Sequence, residues 1–273
     1  MEHNLEHYFS TSLALVKEAG TLVKDAIGKR KTIETKSDFA DLVTETDKEV
    51  EKLLIGKLQS EFPYHRFIGE ESVAAGIKCE LTSDPTWIID PVDGTMNFVH
   101  GFPVVAISVA LAINKQVVIG IVFNPIMDRM YTAQLGKGSF CNGHQLRTSG
   151  VTDLSKALIV TEGGGSRDPA RMEFIFKNMH NIIKKAHGLR SLGSAALNMC
   201  FIAAGEADAY YEFGIHCWDM AAAALIATEA GGTVIDTEGG PLNLMNRRLI
   251  CAATTSLANV ISQNLEHIQL ESD

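Results

Sequence analysis

The sequence has no run of five like charges, no apolar stretch long enough to cross a bilayer, and no cysteine pair at zinc-ligand or redox-motif spacing. Each absence removes a class of function. Basic residues number 24 against 33 acidic ones, a net charge of −9, and neutralising a nucleic-acid backbone needs a basic stripe that this chain does not offer. No nucleic-acid partner is expected. The longest apolar stretch, Phe102 to Ile113, is 12 residues and is broken by Ser108, against the ~20 needed for a spanning helix, so no membrane insertion is expected. The five cysteines, 79, 141, 200, 217 and 251, are odd in number and scattered, which suits a reduced compartment. Met1 to Glu6 lacks the basic and apolar regions of a signal peptide, so a cytoplasmic location is expected. No His-Glu-x-x-His segment is present to hold catalytic zinc. No internal repeat and no Pro/Gly/Ser-rich linker divides the chain, which reads as one domain over residues 1–273 with a soft seam near 148–156.

What is present is a globular composition, 46% hydrophobic and 21% charged over 273 residues. A chain of this size buries roughly three quarters of its unfolded surface, enough for a substantial core. Its negative charge repels anionic ligands, so binding a phosphate would require positive charge gathered locally. A bound cation would supply it.

Apolar spacing predicts an N-terminal helix carrying Leu13, Val16, Gly20, Val23 and Ile27, and a second helix entered through a Thr46/Glu49 capping box and stopped by Pro63. Strand texture follows at Trp87–Ile89, Val104–Ile113, Val117–Phe123 and Met130–Ala133, with turn residues between, and predicts an antiparallel meander. Beyond Leu154 the pattern alternates. Strands are expected at Ala157–Thr161, Ala209–Glu212, Thr233–Asp236 and Leu249–Ala253. Helices are expected at Pro169–Lys185, Ala195–Ala204 and Met220–Ala230, and a final helix after the Leu249–Ala253 strand is expected to run to about Ile268. The mixture argues for a layered α/β or α+β architecture.

The chemistry concentrates in Trp87-Ile88-Ile89-Asp90-Pro91-Val92-Asp93-Gly94-Thr95. An apolar strand runs out into two aspartates three apart, with Pro91 fixing one turn and Gly94 permitting another, so both carboxylates can enter one pocket where hard divalent ions find oxygen ligands. Thr95 and the N–H groups after Gly94 could receive a phosphate. An ordinary Asp-Gly turn is the alternative. Glu70 and Glu71 follow another short strand, Phe67-Ile68, and Asp219 opens the alanine-rich helix. If Glu70, Asp90, Asp93 and Asp219 converge, like-charge repulsion demands cations, and two Mg²⁺ ions would suit hydrolysis of a phosphate ester.

Other residues leave two readings open. Asp47 serves either the helix dipole or, through water, a further metal. Gly163-Gly164-Gly165-Ser166-Arg167 is either a pocket wall or a surface loop. Gly193-Ser194-Ala195 either lends N–H groups to a ligand or caps a helix at Ser194. Cys217 reads as a buried structural thiol rather than a nucleophile. Tyr210 and Tyr211 read as packing residues, with Glu212 ending the strand free to meet a polyhydroxylated ligand.

The segments WIIDPVDGTMNFVHGFP (87–103) and WDMAAAALIATEAGG (218–232), with Glu70-Glu71 after Gly69, Asp47 within LVTETD, and Gly193-Ser194-Ala195 in order, resemble the inositol monophosphatase family across almost the whole chain. The resemblance lies nearest the animal enzymes of that family, within the lithium-sensitive, magnesium-dependent phosphatases. It implies a five-layered αβαβα sandwich assembled as a homodimer. It implies two or three Mg²⁺ held by Glu70, Asp90, the Val92 carbonyl, Asp93 and Asp219, and phosphate received around Asp93, Gly94 and Thr95. Inositol contacts are implied at Gly193, Ser194, Ala195 and Glu212. Glu70 with Thr95 would position and activate the attacking water, with Asp47 supporting Thr95 or a third metal. The implied reaction is hydrolysis of myo-inositol monophosphates, feeding inositol back to phosphatidylinositol synthesis and signalling. Gly165 stands where relatives often carry a serine near the inositol hydroxyls. Rival readings are a phosphatase of the same superfamily acting on nucleotide or sugar phosphates, and a catalytically silent metal- and phosphate-binding protein.

Overall fold

A computed structural model describes residues 4–29, 32–35 and 42–273. Two sheets and three helical layers stack in the order α, β, α, β, α. The first sheet has seven strands in sequential order: β3 (Arg66–Gly69), β4 (Thr86–Asp93), β5 (Ala106–Ile113), β6 (Gln116–Asn124), β7 (Arg129–Gln134), β8 (Ser139–Cys141) and β9 (His144–Gln145). Only the β3–β4 pair is parallel; the rest is the antiparallel meander that the alternating turn residues predict. The second sheet runs β11 (Gly188–Arg190), β10 (Leu158–Val160), β12 (Ala209–Phe213), β14 (Arg248–Ala252), β13 (Thr233–Ile235), parallel at β10 and antiparallel around β14. A small ribbon, β1 (Ile33–Thr35) with β2 (Leu42–Thr44), precedes the first sheet.

Helices α1 (Leu5–Ala26) and α2 (Glu45–Glu61) cover the outer face of the seven-stranded sheet. Their stripes, Val16, Ala19 and Val23 with Val50, Leu54 and Leu58, pack on Trp87, Ile89, Val109 and Ile121. The opposite face, carrying Ile88, Ala110 and Val122, meets α6 (Ala195–Ala203) and α7 (Cys217–Glu229), whose other side packs on Tyr210, Leu249 and Cys251 of the second sheet. A helix buried on both sides needs apolar residues all round, and the alanine-rich α7 has them. Small side chains also let it lie close. A Cβ on Gly120 of β6 would stand 2.4 Å from the Ala222 carbonyl oxygen, so no larger residue fits beneath the helix. The outer face of the second sheet, with Ile159, Ala209, Tyr211 and Ile250, is closed by α5 (Pro169–Ile183) and α8 (Thr255–Ser262).

Three sequence expectations shift. The second helix begins at Glu45, capped by Thr44 with Asp47 at the third helical position. Thr46 and Glu49 have the right spacing for a capping box, but Thr44 is the residue in extended conformation and is two residues earlier. The alanine-rich helix starts at Cys217, so Asp219 sits inside its first turn. The last helix stops at Ser262, well before Ile268, and the following segment is irregular.

Candidate active site

Along β4, Trp87 and Ile89 face α1 and α2, whereas Ile88 faces the central helices. Strict alternation would put Asp90 on the central side and Asp93 on the other. The pairing prevents this. Asp90 lies opposite Ser108 but Asp93 lies opposite Ala106, so three steps on β4 match two on β5 and one extra residue is accommodated. The bulge inverts the remaining pattern: Val92 joins Trp87 and Ile89 in the outer core, and Asp93 turns to the same side as Asp90. Pro91 sits inside this bulged strand rather than in a turn; lacking an N–H, it suits a position where the ladder is interrupted. Gly94 follows at φ 91° and opens the short α4 (Thr95–His100). A Cβ at Gly94 would lie 2.9 Å from both the Gly193 and Val104 carbonyl oxygens, so glycine is required by conformation and by space.

Asp219, from the first turn of α7, completes a trio with Asp90 and Asp93 in which one carboxylate oxygen of each lies within 4.8 Å of the others. Glu70, the first residue of α3 (Glu70–Ala74), lines the same cavity of about 410 Å³ together with Gly94, Thr95 and Glu212. A larger cavity of about 890 Å³ beside α1 and β7 brings no such set of acids together. Volume alone therefore does not locate the chemistry.

The acids hold one another's protons. Burial raises the Asp90 carboxyl well above the ordinary range, and the charges of Glu70, Asp93 and Asp219 raise it further. Asp219 moves the same way by burial and by Asp93 and Glu70, partly offset by the His216 N–H that bonds its Oδ2 at 2.6 Å. Asp93 is pushed up to about 6 by burial and moderated by three donors: Ser194 Oγ at 2.5 Å, Ala196 N at 2.8 Å and Ala195 N at 3.2 Å. Asp47 is also pushed up to about 6, chiefly by burial and against hydrogen bonds from Thr44. Its Oδ2 accepts from Thr44 N at 3.0 Å while its Oδ1 accepts from Thr95 Oγ1 at 3.1 Å, so it serves the start of its helix, as the first reading has it, and also reaches Thr95. The Thr95 hydroxyl also lies 3.0 Å from the Val92 carbonyl oxygen.

The convergent donors are carboxylate oxygens, with neither imidazole nor thiolate among them, which suits a hard divalent cation. A cation there would also remove the repulsion that raises these carboxyls.

Around the alcohol contacts that the resemblance implies, the structure shows the capping alternative at Ser194 and engages groups that the sequence leaves free. Ser194 caps α6, accepting from Leu197 N at 3.3 Å, and its hydroxyl donates to Asp93. The Gly193 N–H goes to Glu162 Oε1 at 2.9 Å and the Ala195 N–H to Asp93. These two N–H groups are thus spent on carboxylates, although Gly193, Ser194 and Ala195 all line the cavity. Glu212 is not free: on the central face of β12 it accepts from the Tyr210 hydroxyl, so Tyr210 does more than pack. Burial and Glu162 raise the Glu212 carboxyl well above its usual range. Gly163, Gly164 and Gly165 form cavity wall. The Cys217 thiol is buried, faces Cys79 Sγ at 3.9 Å and is pushed up, which fits a structural thiol and not a nucleophile.

Two positioning acids escaped sequence reasoning. Glu51 of α2 takes Glu71 N at 2.8 Å, Ser72 N at 2.9 Å and Ser72 Oγ at 2.5 Å, pinning the turn that presents Glu70. Glu162 takes Leu192 N, Gly193 N and Asn198 Nδ2, each within 2.9 Å, shaping the loop before α6. The signal for Glu162 was available: like Asp90 and Glu212, it follows an apolar strand.

Residues 4–270 match the model of the inositol monophosphatase family. The chain belongs to that family. It is 50% identical over 269 residues to human inositol monophosphatase 2, covering 98% of this chain and 93% of the relative. It is 51% identical over 263 residues to bovine inositol monophosphatase 1, covering 96% and 95%. Among solved structures, Thermotoga maritima IMPase superposes with a TM-score of 0.84 at 31% identity, covering 94% of this chain and 96% of that one. The layered fold is shared with that Thermotoga maritima structure, and the acid trio lies within the span matched by the family model.

Proposed function

We propose that the protein is a phosphoric monoester hydrolase that releases phosphate from inositol monophosphates, with Mg²⁺ as its resident cation. The observation that carries this reading is the bulge that brings Asp90 and Asp93 to one face beside Asp219, in a family member whose relatives are named inositol monophosphatases. Asp90, Asp93, Asp219 and Glu70, with the Val92 carbonyl, are the residues that would hold two or three Mg²⁺. When bound, the cations supply positive charge that draws the phosphate into an acidic cavity and stabilises the charge developing on the leaving oxygen.

The chain's own groups then perform the remaining tasks. The phosphate rests where Gly94 and Thr95 line the cavity beside Asp93. Glu70 accepts the proton of the attacking water, whose oxygen forms the new bond to phosphorus as the bond to the inositol oxygen breaks. Thr95 orients that water, accepting through its hydroxyl oxygen while its own proton is directed to Asp47 or to the Val92 carbonyl. The inositol oxygen leaves and takes a proton from solvent water while Glu70 returns its proton to solvent, giving free inositol and inorganic phosphate. Glu212 and the Gly193–Ala195 loop form the wall against which the ring lies, with Glu212 oriented by Tyr210. The same reading carries lithium sensitivity, a cytoplasmic location and a homodimeric assembly.

The test is phosphate release from inositol 1-phosphate, galactose 1-phosphate, adenosine 2′-monophosphate and fructose 1,6-bisphosphate, with and without Mg²⁺. Magnesium-dependent release with inositol 1-phosphate preferred is expected. Preference for the nucleotide would transfer the reading to another phosphatase activity, and no release from any of the four would leave only a binding protein.

A further inference from the structure

Cys79 and Cys217 stand 138 positions apart in the chain, yet their Sγ atoms lie 3.9 Å from each other. Cys217 is the first residue of α7, fully buried, with Asp219 two positions further on. Cys79 is half-buried and belongs to the irregular backbone of residues 75–85, which joins α3 to β4. That backbone is seated on the helix: Val73, Cys79 and Leu81 pack against the central cluster that contains Cys217 and Trp218. The two thiols therefore meet where an element carrying Glu70 at its start touches the element that carries Asp219.

The pair is not the beginning of a metal site. Asp273 acts on Cys79 electrostatically, but its carboxylate is engaged by His216 Nδ1 at 2.5 Å and by the Cys217 N–H at 2.9 Å. Among the described residues, Asp90, Asp93 and Asp219 are the one set of three metal-ligating side chains whose atoms converge within 4.8 Å, so the thiols have no third ligand. What remains is thiol chemistry, and the two sulfurs divide it by access. A small oxidant in solvent reaches Cys79 before the fully buried Cys217. The Cys217 S–H, donated to the Cys79 sulfur, holds the Cys79 thiol below its usual range, the direction that favours the reactive thiolate.

We propose that Cys79 and Cys217 form an oxidation site, closed to a disulfide by a hydroperoxide, and that the bond switches the enzyme off by tying Glu70 and Asp219 through their elements. The Cys79 sulfur attacks one peroxide oxygen; the O–O bond breaks, Cys79 becomes a sulfenic acid, and the other oxygen leaves with the proton that Cys79 gave up, as water or an alcohol. The Cys217 sulfur, buried against this single partner, then attacks the Cys79 sulfur. The S–S bond forms as the S–O bond breaks, and the hydroxyl leaves with the Cys217 proton as water. One hydroperoxide is reduced by two electrons and two thiols are oxidised. The sulfurs must close from 3.9 Å to about 2 Å. Helix α7 is packed between both sheets, so the displacement falls on residues 75–85 and on α3 before them. A shift of about 1 Å in a positioned group can cost roughly a hundredfold in rate. That Glu70 and Asp219 serve catalysis rests on the proposed function.

The experiment treats reduced wild type, Cys79→Ser and Cys141→Ser with hydrogen peroxide, removes the excess with catalase, blocks remaining thiols with iodoacetamide and maps peptides by mass without reduction. Phosphate release from inositol 1-phosphate in Mg²⁺ is measured before oxidation, after it, and after dithiothreitol. Wild type and Cys141→Ser, which lacks the other half-buried thiol, are expected to yield peptides linked between 79 and 217 and to lose activity by about 10- to 100-fold, regained with dithiothreitol. Cys79→Ser should start at the wild-type rate and keep more than about half of it. Absence of the 79–217 link, a link formed without loss of activity, or an equal loss in Cys79→Ser each overturns the proposal. If the reduced protein releases no phosphate, the proposed function fails, and the rise in Tm caused by Mg²⁺ decides instead: it should be smaller in oxidised than in reduced wild type and unchanged in Cys79→Ser, and a linked protein with an undiminished rise overturns the proposal.

Discussion

Removing metal should make the protein less stable as the pH rises from 5 to 8, the reverse of the usual behaviour of a protein rich in salt-bridged carboxylates. Asp47 and Asp93 each move from 3.8 to about 6 on folding. The folded state therefore binds their protons more tightly than the unfolded state. The stabilisation is complete below pH 3.8 and is lost as the pH passes through about 6. Between pH 5 and pH 8 each group costs about 1.4 kcal/mol, so the pair costs roughly 3 kcal/mol. Asp90 and Asp219 add to this in the same direction. For a chain of this size the sum corresponds to a fall in Tm of roughly 6–12 °C. The assay is thermal unfolding in chelator at constant ionic strength, repeated with Asp93→Asn, whose decline should be shallower by about 1.4 kcal/mol. Saturating Mg²⁺ should then raise Tm more at pH 8 than at pH 5, because protons compete for the same oxygens and a ligand at a hundred times its Kd adds about 2.7 kcal/mol. A wild-type decline no steeper than that of Asp93→Asn, or a Mg²⁺ effect larger at pH 5, would refute the electrostatic account.

Two further outcomes follow from the site. Asp90→Asn should lower turnover by roughly a thousandfold or more, since several kcal/mol of charge stabilisation depend on the cations it helps to hold, while raising the metal-free Tm at pH 8; a folded variant keeping a tenth of the wild-type rate would remove Asp90 from the ligand set. Glu212→Gln should cut kcat/KM for inositol 1-phosphate by about 10- to 100-fold and spare a small phosphate ester without ring hydroxyls, and equal losses on both would make Glu212 a support for Tyr210 alone.

The legible parts of this molecule are those written in short range. The meander of β4 to β7 could be read because its strands alternate with turn residues, and the acids at the ends of β3, β4 and β12 because an apolar run stopping at a carboxylate is unusual. What was hidden depends on pairs distant in sequence. Nothing local announces that Glu51 will cap the turn holding Glu70, or that Ser194 and the α6 N–H groups will be spent on Asp93, which lies 101 residues from Ser194. The bulge is not legible locally: Pro91 reads from the sequence as fixing a turn, and its place in a bulged strand that changes the face of Asp93 appears only from the register against β5. Thr44 was passed over as a cap because Thr46 and Glu49 offer the same spacing, and only backbone conformation separates them.

The placement of the acids relative to the helices explains why they do not all behave alike. Asp47, Glu70 and Asp219 lie in the first turns of α2, α3 and α7, and Asp93 accepts from the first N–H groups of α6. Helix N-termini carry partial positive charge and unsatisfied N–H donors, so each stabilises a neighbouring carboxylate. Asp90 comes from the body of a strand, where its Oδ1 accepts from the Val92 N–H at 3.0 Å and its carboxyl is hydrogen-bonded to those of Glu70 and Asp219. The shifts follow the number of donors more closely than the helix ends: Asp47 and Asp93, with three donors each, stop at about 6, whereas Asp90 and Asp219, with one backbone donor each, go well beyond the ordinary range. The fold thus supplies part of the positive charge through the backbone, and on the proposed reading bound cations would supply the balance. Asp90, with one backbone donor and no helix N-terminus behind it, would on that reading depend on the cations most, so its replacement should separate metal-free stability from catalysis more cleanly than replacement of the other acids.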